Sequence, residues 1–252
     1  MTHNKAILVL FSGILFLTGC PSSSPNTVEE NSSSSLLSQS SSVASLSSET
    51  QIGSSASTAS SSTNTSSCTF DATAQTLACP EQVYKTVTIN TQTWMAQNLN
   101  FSPASGNSWC YDNLESNCVI YGRLYDWNSA ISACPTGWHL PSKAEWTALE
   151  SFVDQSNGGV VNDEGNSLKS IDGWVVYTGI TNTDAFGFSA LPGGLYYDPI
   201  FFFKGNTANW WASSIIPVSD EAYYFGLYNM YSYLESRFTR KTAGYSVRCM
   251  QD

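Results

Sequence analysis

Histidine is the side chain best suited to proton transfer near neutral pH, and the 252-residue chain has two, His3 and His139. His3 falls in an N-terminal leader-like segment, which leaves His139 as the candidate base. It sits in Gly137-Trp-His-Leu-Pro141, a stretch rich in Trp and Pro that suits structural hydrogen bonding better than catalysis. No Gly-x-Ser-x-Gly nucleophile elbow accompanies it, so no catalytic residue is expected. Two stretches gather oxygen ligands: Asp112, Asn113, Glu115 and Asn117, and Asn162, Asp163, Glu164 and Asn166. Calcium takes six to eight oxygens, so either stretch alone is incomplete and reads more simply as a solvated turn. Asp112, Glu115, Asp163 and Glu164 are the candidate Ca2+ ligands, and no other cofactor is expected. Seven cysteines lack any Cys-x-x-Cys spacing, which argues against a thiolate metal site. The last chemical resource is aromatic. Exposed Tyr and Trp rings offer stacking area for sugars or peptide groups at low entropic cost. Tyr196, Tyr197, Asn209, Trp211, Tyr224, Tyr228 and Tyr231 are the candidate ligand-binding residues. Core packing competes for the same rings, and about half of the C-terminal aromatics, Trp210 among them, are expected inside. Adjacent Tyr223 and Tyr224 cannot both face inward unless both faces of their strand are covered.

The composition narrows the partners. The chain is 12% charged, with 10 Lys+Arg against 20 Asp+Glu and a net charge of −10. Binding to a phosphate backbone draws on Lys and Arg, so nucleic acid is excluded as a partner. Residues 1–19 have a polar start with Lys5 and then an apolar run from Ala6 to Phe16, too short to span a bilayer. They end in Leu17-Thr-Gly-Cys20, which resembles the lipobox of bacterial lipoproteins. That resemblance implies export, cleavage before Cys20 and lipidation of Cys20, with a lipid anchor as the membrane partner. Pro21, rather than Asp, after the lipidated Cys favours an outer-membrane or cell-surface location. Removal of Cys20 from the count leaves Cys68, Cys79, Cys110, Cys118, Cys134 and Cys249, an even number suited to an oxidising compartment, with 15 possible pairings. From Pro21 to Ser67, 22 of 47 residues are Ser, with Glu29, Glu30 and Glu49 as the charges. Such a segment cannot bury enough apolar surface to offset its ordering entropy, so 20–67 is expected to be a disordered tether.

Composition changes at Cys68. Cys68 and Cys79 bracket a short step, 68–81, that suits a disulfide-closed hairpin. Val83 to Ile89 alternates and, through an Asn90-Thr91 turn, meets Gln92 to Met95 as a second hairpin. A short helix is expected over Tyr125 to Ala133. A longer one begins at Ser142-Lys-Ala-Glu145, a capping box, with Trp146, Leu149, Phe152 and Val153 at helical spacing. Asp172-Gly173, Pro192-Gly193-Gly194 and Gly205-Asn206 read as turns. Strands are expected at Tyr223–Leu227, Tyr231–Phe238 and Gly244–Met250. The layout is α+β with antiparallel strands, not alternating βαβ units.

Certain words of the sequence carry a family resemblance. Tyr84-Lys-Thr-Val87, Gln92-Thr-Trp-Met95, Tyr121-Gly-Arg-Leu-Tyr125, Cys134-Pro-Thr-Gly-Trp-His-Leu-Pro-Ser142, Gly187-Phe-Ser-Ala-Leu-Pro-Gly-Gly194, Trp210-Trp-Ala-Ser-Ser214 and Tyr245-Ser-Val-Arg-Cys249 appear in order. Over 82–252 the chain resembles the Fibrobacter succinogenes major paralogous domain. The resemblance implies a C-type-lectin-like fold, an α+β domain with two helices, an antiparallel sheet, long loops and disulfide staples. It implies Cys134 paired with Cys249; Cys110 with Cys118 and Cys68 with Cys79 complete the set. By chain entropy, the 115-residue loop would stabilise by about 4.7 kcal/mol and the eight-residue loop by about 2.5. Sugar-binding C-type lectins ligate calcium with Glu-Pro-Asn and Trp-Asn-Asp words. Here Trp210-Trp-Ala-Ser stands instead, so calcium-dependent sugar binding does not carry over. The expected function is a lipid-anchored, surface-exposed, non-catalytic binding module for polysaccharide or a partner protein. The alternatives are an enzyme-like domain of the sulfatase-modifying superclass acting on extracellular material, or a structural or adhesive surface protein.

Overall fold

The computed structural model describes residues 67–158, 160 and 162–252. The leader, Cys20 and the Ser-rich stretch to Ser66 lie outside the described residues. Among the described residues, no helix is long and apolar enough to cross a membrane.

The chain begins with β1 (Thr69–Asp71) and β2 (Thr76–Ala78), a hairpin closed by the Cys68–Cys79 disulfide. Next come β3 (Val83–Ile89) and β4 (Gln92–Met95), joined at Asn90, whose φ of 56° makes the expected turn. β5 (Ser108–Trp109) precedes α1 (Glu115–Tyr121), β6 (Leu124–Tyr125), α2 (Trp127–Ala130) and β7 (Trp138–His139). α3 (Lys143–Ser156) and α4 (Glu164–Leu168) follow. The C-terminal half holds the hairpin β8 (Leu195–Tyr197) and β9 (Ile200–Phe202) and the long strands β10 (Thr207–Ile215), β11 (Glu221–Tyr228) and β12 (Glu235–Arg240). It closes with β13 (Tyr245–Ser246) and β14 (Met250–Gln251).

The strands form two six-stranded sheets, in the orders β1-β2-β3-β4-β14-β7 and β12-β11-β10-β13-β6-β5. All their pairings are antiparallel except β10 with β13, where Trp210 lies beside Ser246. The first sheet places β4 beside β14, Trp94 opposite Met250, so the start and end of the domain are neighbours.

The sequence pattern predicts two helices, and four are present among the described residues. α1 and α4 escape prediction because Glu-Ser-Asn-Cys-Val-Ile-Tyr and Glu-Gly-Asn-Ser-Leu have low intrinsic propensity, and tertiary contacts hold them instead. α1 is tied by the Cys110–Cys118 disulfide and by Asn117 Nδ2 donating to Tyr111 O at 2.7 Å. α4 lies against Ser232, whose carbonyl accepts from Asn166 N at 3.2 Å and would sit 2.6 Å from a Cβ on Gly165. The helix expected over Tyr125–Ala133 shrinks to α2: Tyr125 pairs with Tyr245 in the second sheet, and Asp126 caps the helix by accepting from Ser129 N at 2.8 Å. The expected strand at Tyr231–Phe238 starts only at Glu235, because the Tyr231 and Ser232 carbonyls serve Lys169 and α4. Gly244–Met250 divides into β13 and β14, as the chain crosses from one sheet to the other. Between them, Val247 O accepts from Leu99 N at 2.9 Å and Cys249 O from Met95 N at 3.0 Å.

α3 carries the expected capping box. Ser142 Oγ accepts from Glu145 N at 3.3 Å, and Glu145 Oε2 accepts from Ser142 N at 2.7 Å. Its Trp146, Leu149 and Val153 are buried, with Trp146 stacked on Phe225 at 5.3 Å and beside Trp94 at 4.8 Å. Around them Phe188, Trp210 and Leu234 complete one apolar core. A second core, on the other side of β10, gathers Leu77, Tyr84, Tyr125, Trp211, Tyr245 and Val247. β3 feeds both cores, Tyr84 entering one and Ile89 the other.

Arg248 lies between β13 and β14 and is almost wholly buried. Its Nε donates to Asn98 Oδ1 at 3.2 Å and its Nη2 to Ser189 O at 3.2 Å, with Nη1 on Phe188 O. The guanidinium also sits over the Phe188 ring, 4.1 Å from its centroid. Burial, opposed by Asp184, lowers its pKa to about 9, which leaves it charged at neutral pH.

The three disulfides are the expected ones: Cys134–Cys249, which the family resemblance implies, with Cys110–Cys118 and Cys68–Cys79. Cys134–Cys249 closes a separation of 115 residues and Cys110–Cys118 one of 8. We therefore expect Cys134→Ser/Cys249→Ser to cost about 4 to 5 kcal/mol in urea unfolding and Cys110→Ser/Cys118→Ser about 2.5. Equal losses would show that loop closure does not govern this fold's stability.

Candidate functional site

One face of the second sheet brings together most of the sequence-derived ligand candidates. In the β10–β11–β12 register, Trp211 stands opposite Tyr224 and Tyr224 opposite Arg237; Asn209 stands opposite Gly226 and Gly226 opposite Glu235. Directly paired residues project to the same side, so Asn209, Trp211, Tyr224, Tyr228, Glu235, Arg237 and Thr239 share one face. Gly226 is required there by close approach: a Cβ would lie 2.8 Å from Asn209 Oδ1 and 3.0 Å from the Tyr228 hydroxyl. From the β8–β9 hairpin, the Tyr197 hydroxyl meets that of Thr239. The backbone of Tyr196 pairs with Gly244, which brings the hairpin beside Tyr245.

Burial divides the candidates. Trp211 and Asn209 are 0% and 1% exposed, and Tyr224 and Tyr196 are 8%. Presentation of surface by these four is overturned, because each has interior work. Trp211 Nε1 donates to Tyr125 O at 2.7 Å; Asn209 Nδ2 donates to Thr207 Oγ1 at 3.0 Å; Tyr196 stacks on Trp109 at 4.2 Å; Tyr224 packs on Tyr245 at 4.6 Å. Trp210, on the opposite face, is core as expected. Tyr197 and Tyr231 are exposed, at 39% and 37%, and Tyr228 is half-buried. The accessible remainder is a strip. At one end Tyr231 stacks on Tyr233 at 5.0 Å and 15°, with Tyr228 edge-on to Tyr231 at 5.8 Å. In the middle, Arg237 Nη2 donates to Glu235 Oε1 at 2.7 Å. At the other end, Tyr197, Phe238, Thr239 and Arg240 line a cleft of about 410 Å³.

Burial is the first cause that raises the pKa of Tyr224, Tyr228 and Tyr245, and mutual contact among their hydroxyls adds to it in Tyr228 and Tyr245. All three remain protonated donors at physiological pH. Sequence reasoning missed Tyr233, Glu235, Arg237, Thr239 and Tyr245 as members of the face. A signal was present for the strand: Glu235, Arg237 and Thr239 alternate with period 2 in β12, which Tyr231 and Tyr233 precede.

The oxygen-rich stretches are turned toward protein groups. Lys204 Nζ is 3.8 Å from Asp112 Oδ2 and donates to Asn117 Oδ1 at 3.3 Å; Arg123 is 3.8 Å from Glu115. Glu115 also lies near the Cys110 and Cys118 sulfurs, but these are joined as a disulfide and offer no thiolate. Asp163 Oδ1 accepts from Asn166 Nδ2 at 2.6 Å, and the buried Glu164 accepts from Leu234 N at 2.7 Å. Burial, with Asp154 beside it, pushes the Glu164 carboxyl up to about 7.

His139 stands in β7, paired with β14, which brings Asp252 to its ring. Nδ1 lies 2.7 Å from Asp252 Oδ1 and Nε2 lies 3.1 Å from Glu145 Oε1. Both nitrogens are engaged, so the ring ties the last strand to the first turn of α3.

The chain belongs to the Fibrobacter succinogenes major domain family, whose profile matches residues 87–251, from the middle of β3 to the end of β14. No curated protein and no solved structure matches it.

The His139 clamp has a pH signature. Partial burial lowers its pKa, but hydrogen bonds and charge from Asp252 and Glu145 outweigh that and raise it above 6.5. The folded state therefore holds the proton more tightly. This contribution is fully present below pH 6.5 and is lost as pH rises through the folded-state pKa. Urea unfolding of the wild type and His139→Gln should show a stability gap that narrows from pH 6 to pH 9. A gap that widens would refute the clamp.

Proposed function

We propose that the protein is a non-catalytic binding module of C-type-lectin-like fold, exported and lipid-anchored through Cys20, which binds polysaccharide along the Tyr197–Tyr231 strip. The observation that carries this reading is the strip itself: the paired Arg237–Glu235 lies on one sheet face with the half-buried Tyr228, and the stacked Tyr231–Tyr233 adjoins it through Tyr228. Sugars are recognised by such donors and acceptors together with flat apolar rings. In support of the lectin-like fold, Cys134 joins Cys249, and the last strand, β14, is inserted between β4 and β7. His139, the candidate base, has both ring nitrogens on carboxylates, Asp252 and Glu145, as a structural clamp would.

The full chain should be retained on at least one of insoluble cellulose, xylan, mannan or bacterial cell-wall extract, and Tyr228→Ala/Arg237→Ala should reduce that retention about tenfold. No retention of the wild type on any of them would sink the sugar reading. Retention on an extract that survives glycan removal but not protease would favour a partner protein. For the anchor, mass spectrometry of the mature N-terminus should show an acylated Cys20; an uncleaved or unmodified Cys20 would refute it.

A further inference from the structure

β12 is an edge strand: β11 pairs it on one side, and among the described residues no strand lies on the other. The register decides which of its main-chain groups are left over. Lys241 N donates to Asp220 O at 3.0 Å, and the same register continues with Thr239 opposite Ala222 and Arg237 opposite Tyr224. In an antiparallel ladder, hydrogen-bonded pairs alternate with non-bonded ones. Arg237 and Thr239 therefore turn their N–H and C=O toward β11, whereas Ser236, Phe238 and Arg240 turn theirs outward. Ile216 N, donating to Glu221 O at 3.1 Å, gives the same phase: Glu221 bonds away from β12 and is the non-bonded partner of Arg240. The outward run is short, because Arg240 O accepts from Ala243 N at 3.0 Å. Phe238 stands in the cleft of about 410 Å³ that wraps this edge, with Tyr197 and Thr239 on one side of the strand and Glu221 and Arg240 on the other. The cleft is open. Phe238 is 56% exposed, its ring met edge-on by Tyr223 at 6.4 Å, and Tyr197 is 39% exposed. Arg240 is exposed too, with no carboxylate within ion-pair distance among the described residues.

We propose that this cleft, at the outer edge of β12, is a sugar subsite that recognises a vicinal diol; this rests on the polysaccharide reading above. The N–H and C=O of Phe238 point the same way, so a ligand that satisfies both must bring an acceptor and a donor side by side. A planar trans amide sends its N–H and C=O in opposite directions and meets only one of the two. Two adjacent hydroxyls of a pyranose meet both, one donating to Phe238 O and the next accepting from Phe238 N. The exposed rings of Phe238 and Tyr197 offer apolar area to the faces of the sugar units, and the Arg240 guanidinium adds donors for neighbouring oxygens. A peptide strand added to this edge would draw its affinity from a long run of main-chain bonds, and here the run ends at Arg240. The ligand is therefore a neutral sugar chain with unsubstituted adjacent hydroxyls, taken in preference to one with an acetamido group in that place.

Titration calorimetry of the full chain with cellohexaose, mannohexaose and chitohexaose tests this, since chitohexaose differs from cellohexaose only in an acetamido group that replaces one hydroxyl of each diol. The wild type should bind cellohexaose or mannohexaose about fivefold or more tightly than chitohexaose. Phe238→Ala removes the ring and keeps the main-chain groups; it should weaken the better probe about fivefold and leave the preference in place. Phe238→Pro removes an N–H that β11 does not use, which an edge strand tolerates, and should remove the preference as well. Arg240→Gln, at an exposed side chain, should weaken the better probe about threefold. Chitohexaose bound as tightly as the other two, or more tightly, overturns the diol subsite and spares the polysaccharide reading. Binding that Phe238→Ala and Arg240→Gln both leave unchanged also overturns it. Retention on an extract that survives glycan removal, and that Phe238→Pro abolishes, would give the edge to a peptide strand instead. Absence of binding to every hexasaccharide and every polysaccharide overturns both readings.

Discussion

A single guanidinium organises the domain. Arg248 is buried at the point where the chain leaves the second sheet for the first, and no carboxylate lies within ion-pair distance among the described residues. A buried cation is tolerated only if its donors are satisfied, and here the acceptors come from distant segments: Asn98 after β4, and Phe188 and Ser189 in the long loop before β8. Asn98 extends the node. Its Oδ1 also accepts from Trp210 Nε1 at 2.8 Å, and its Nδ2 donates to Tyr121 O at 2.8 Å. Loss of the guanidinium would leave these acceptors competing for nothing in a dry interior. The loop, α1, β10 and the closing strand would lose their common reference at once.

β10 depends most on that node, and the binding face depends on β10. Trp210 and Trp211 are neighbours that point to opposite sides, and both are fully buried. The strand is therefore covered on both faces at its centre, by α3 on one side and by Tyr125 and Tyr245 on the other. This double burial fixes the register across to β11 and β12, since a slip of one residue would exchange the two tryptophans. The strip inherits rigidity from a core it does not itself form. Its inner members, Tyr224, Trp211 and Asn209, position rather than present. Its outer members, Tyr197, Tyr231 and Arg237, remain accessible.

Much of this was legible in the sequence, and the misses have physical causes. The capping box at Ser142 and the turn at Asn90 follow from local chemistry, and the structure has both. The Cys134–Cys249 pairing followed from the family words and Cys68–Cys79 from the short step they bracket, whereas counting alone left 15 choices. α1 and α4 were invisible because their residues prefer other conformations alone, and distant contacts hold them. Counting aromatic residues located the right sheet but misjudged which rings are open. Tyr224 and Trp211 read as ligand candidates because nothing in a single strand's pattern says that the Tyr245 ring from the neighbouring strand β13 will pack over them. The alternation of Glu235, Arg237 and Thr239 marks one face of β12 and places the two charges beside the rings. Arg248 gave no sign of burial, since Arg is rarely buried without a carboxylate.

The scarcity of charge gains meaning once each cation is traced. Of the nine basic residues from Cys68 onward, Arg123, Lys204 and Arg237 face carboxylates and Arg248 is interior. Lys143 and Lys241 lie over the Tyr223 and Trp127 rings at 4.1 and 4.8 Å, and Lys169 is buried with its ammonium on the Tyr231 carbonyl. That leaves Lys85 and Arg240 to meet an anionic partner, too few to draw one against a net charge of −10. What the surface offers instead is the exposed Tyr197 and Tyr231, with Tyr231 braced by Tyr233. Interactions of that kind depend little on ionic strength. The low charge and the tyrosine-rich face are thus one property: positive charge is consumed within the fold, and hydroxyls and rings are left for contact.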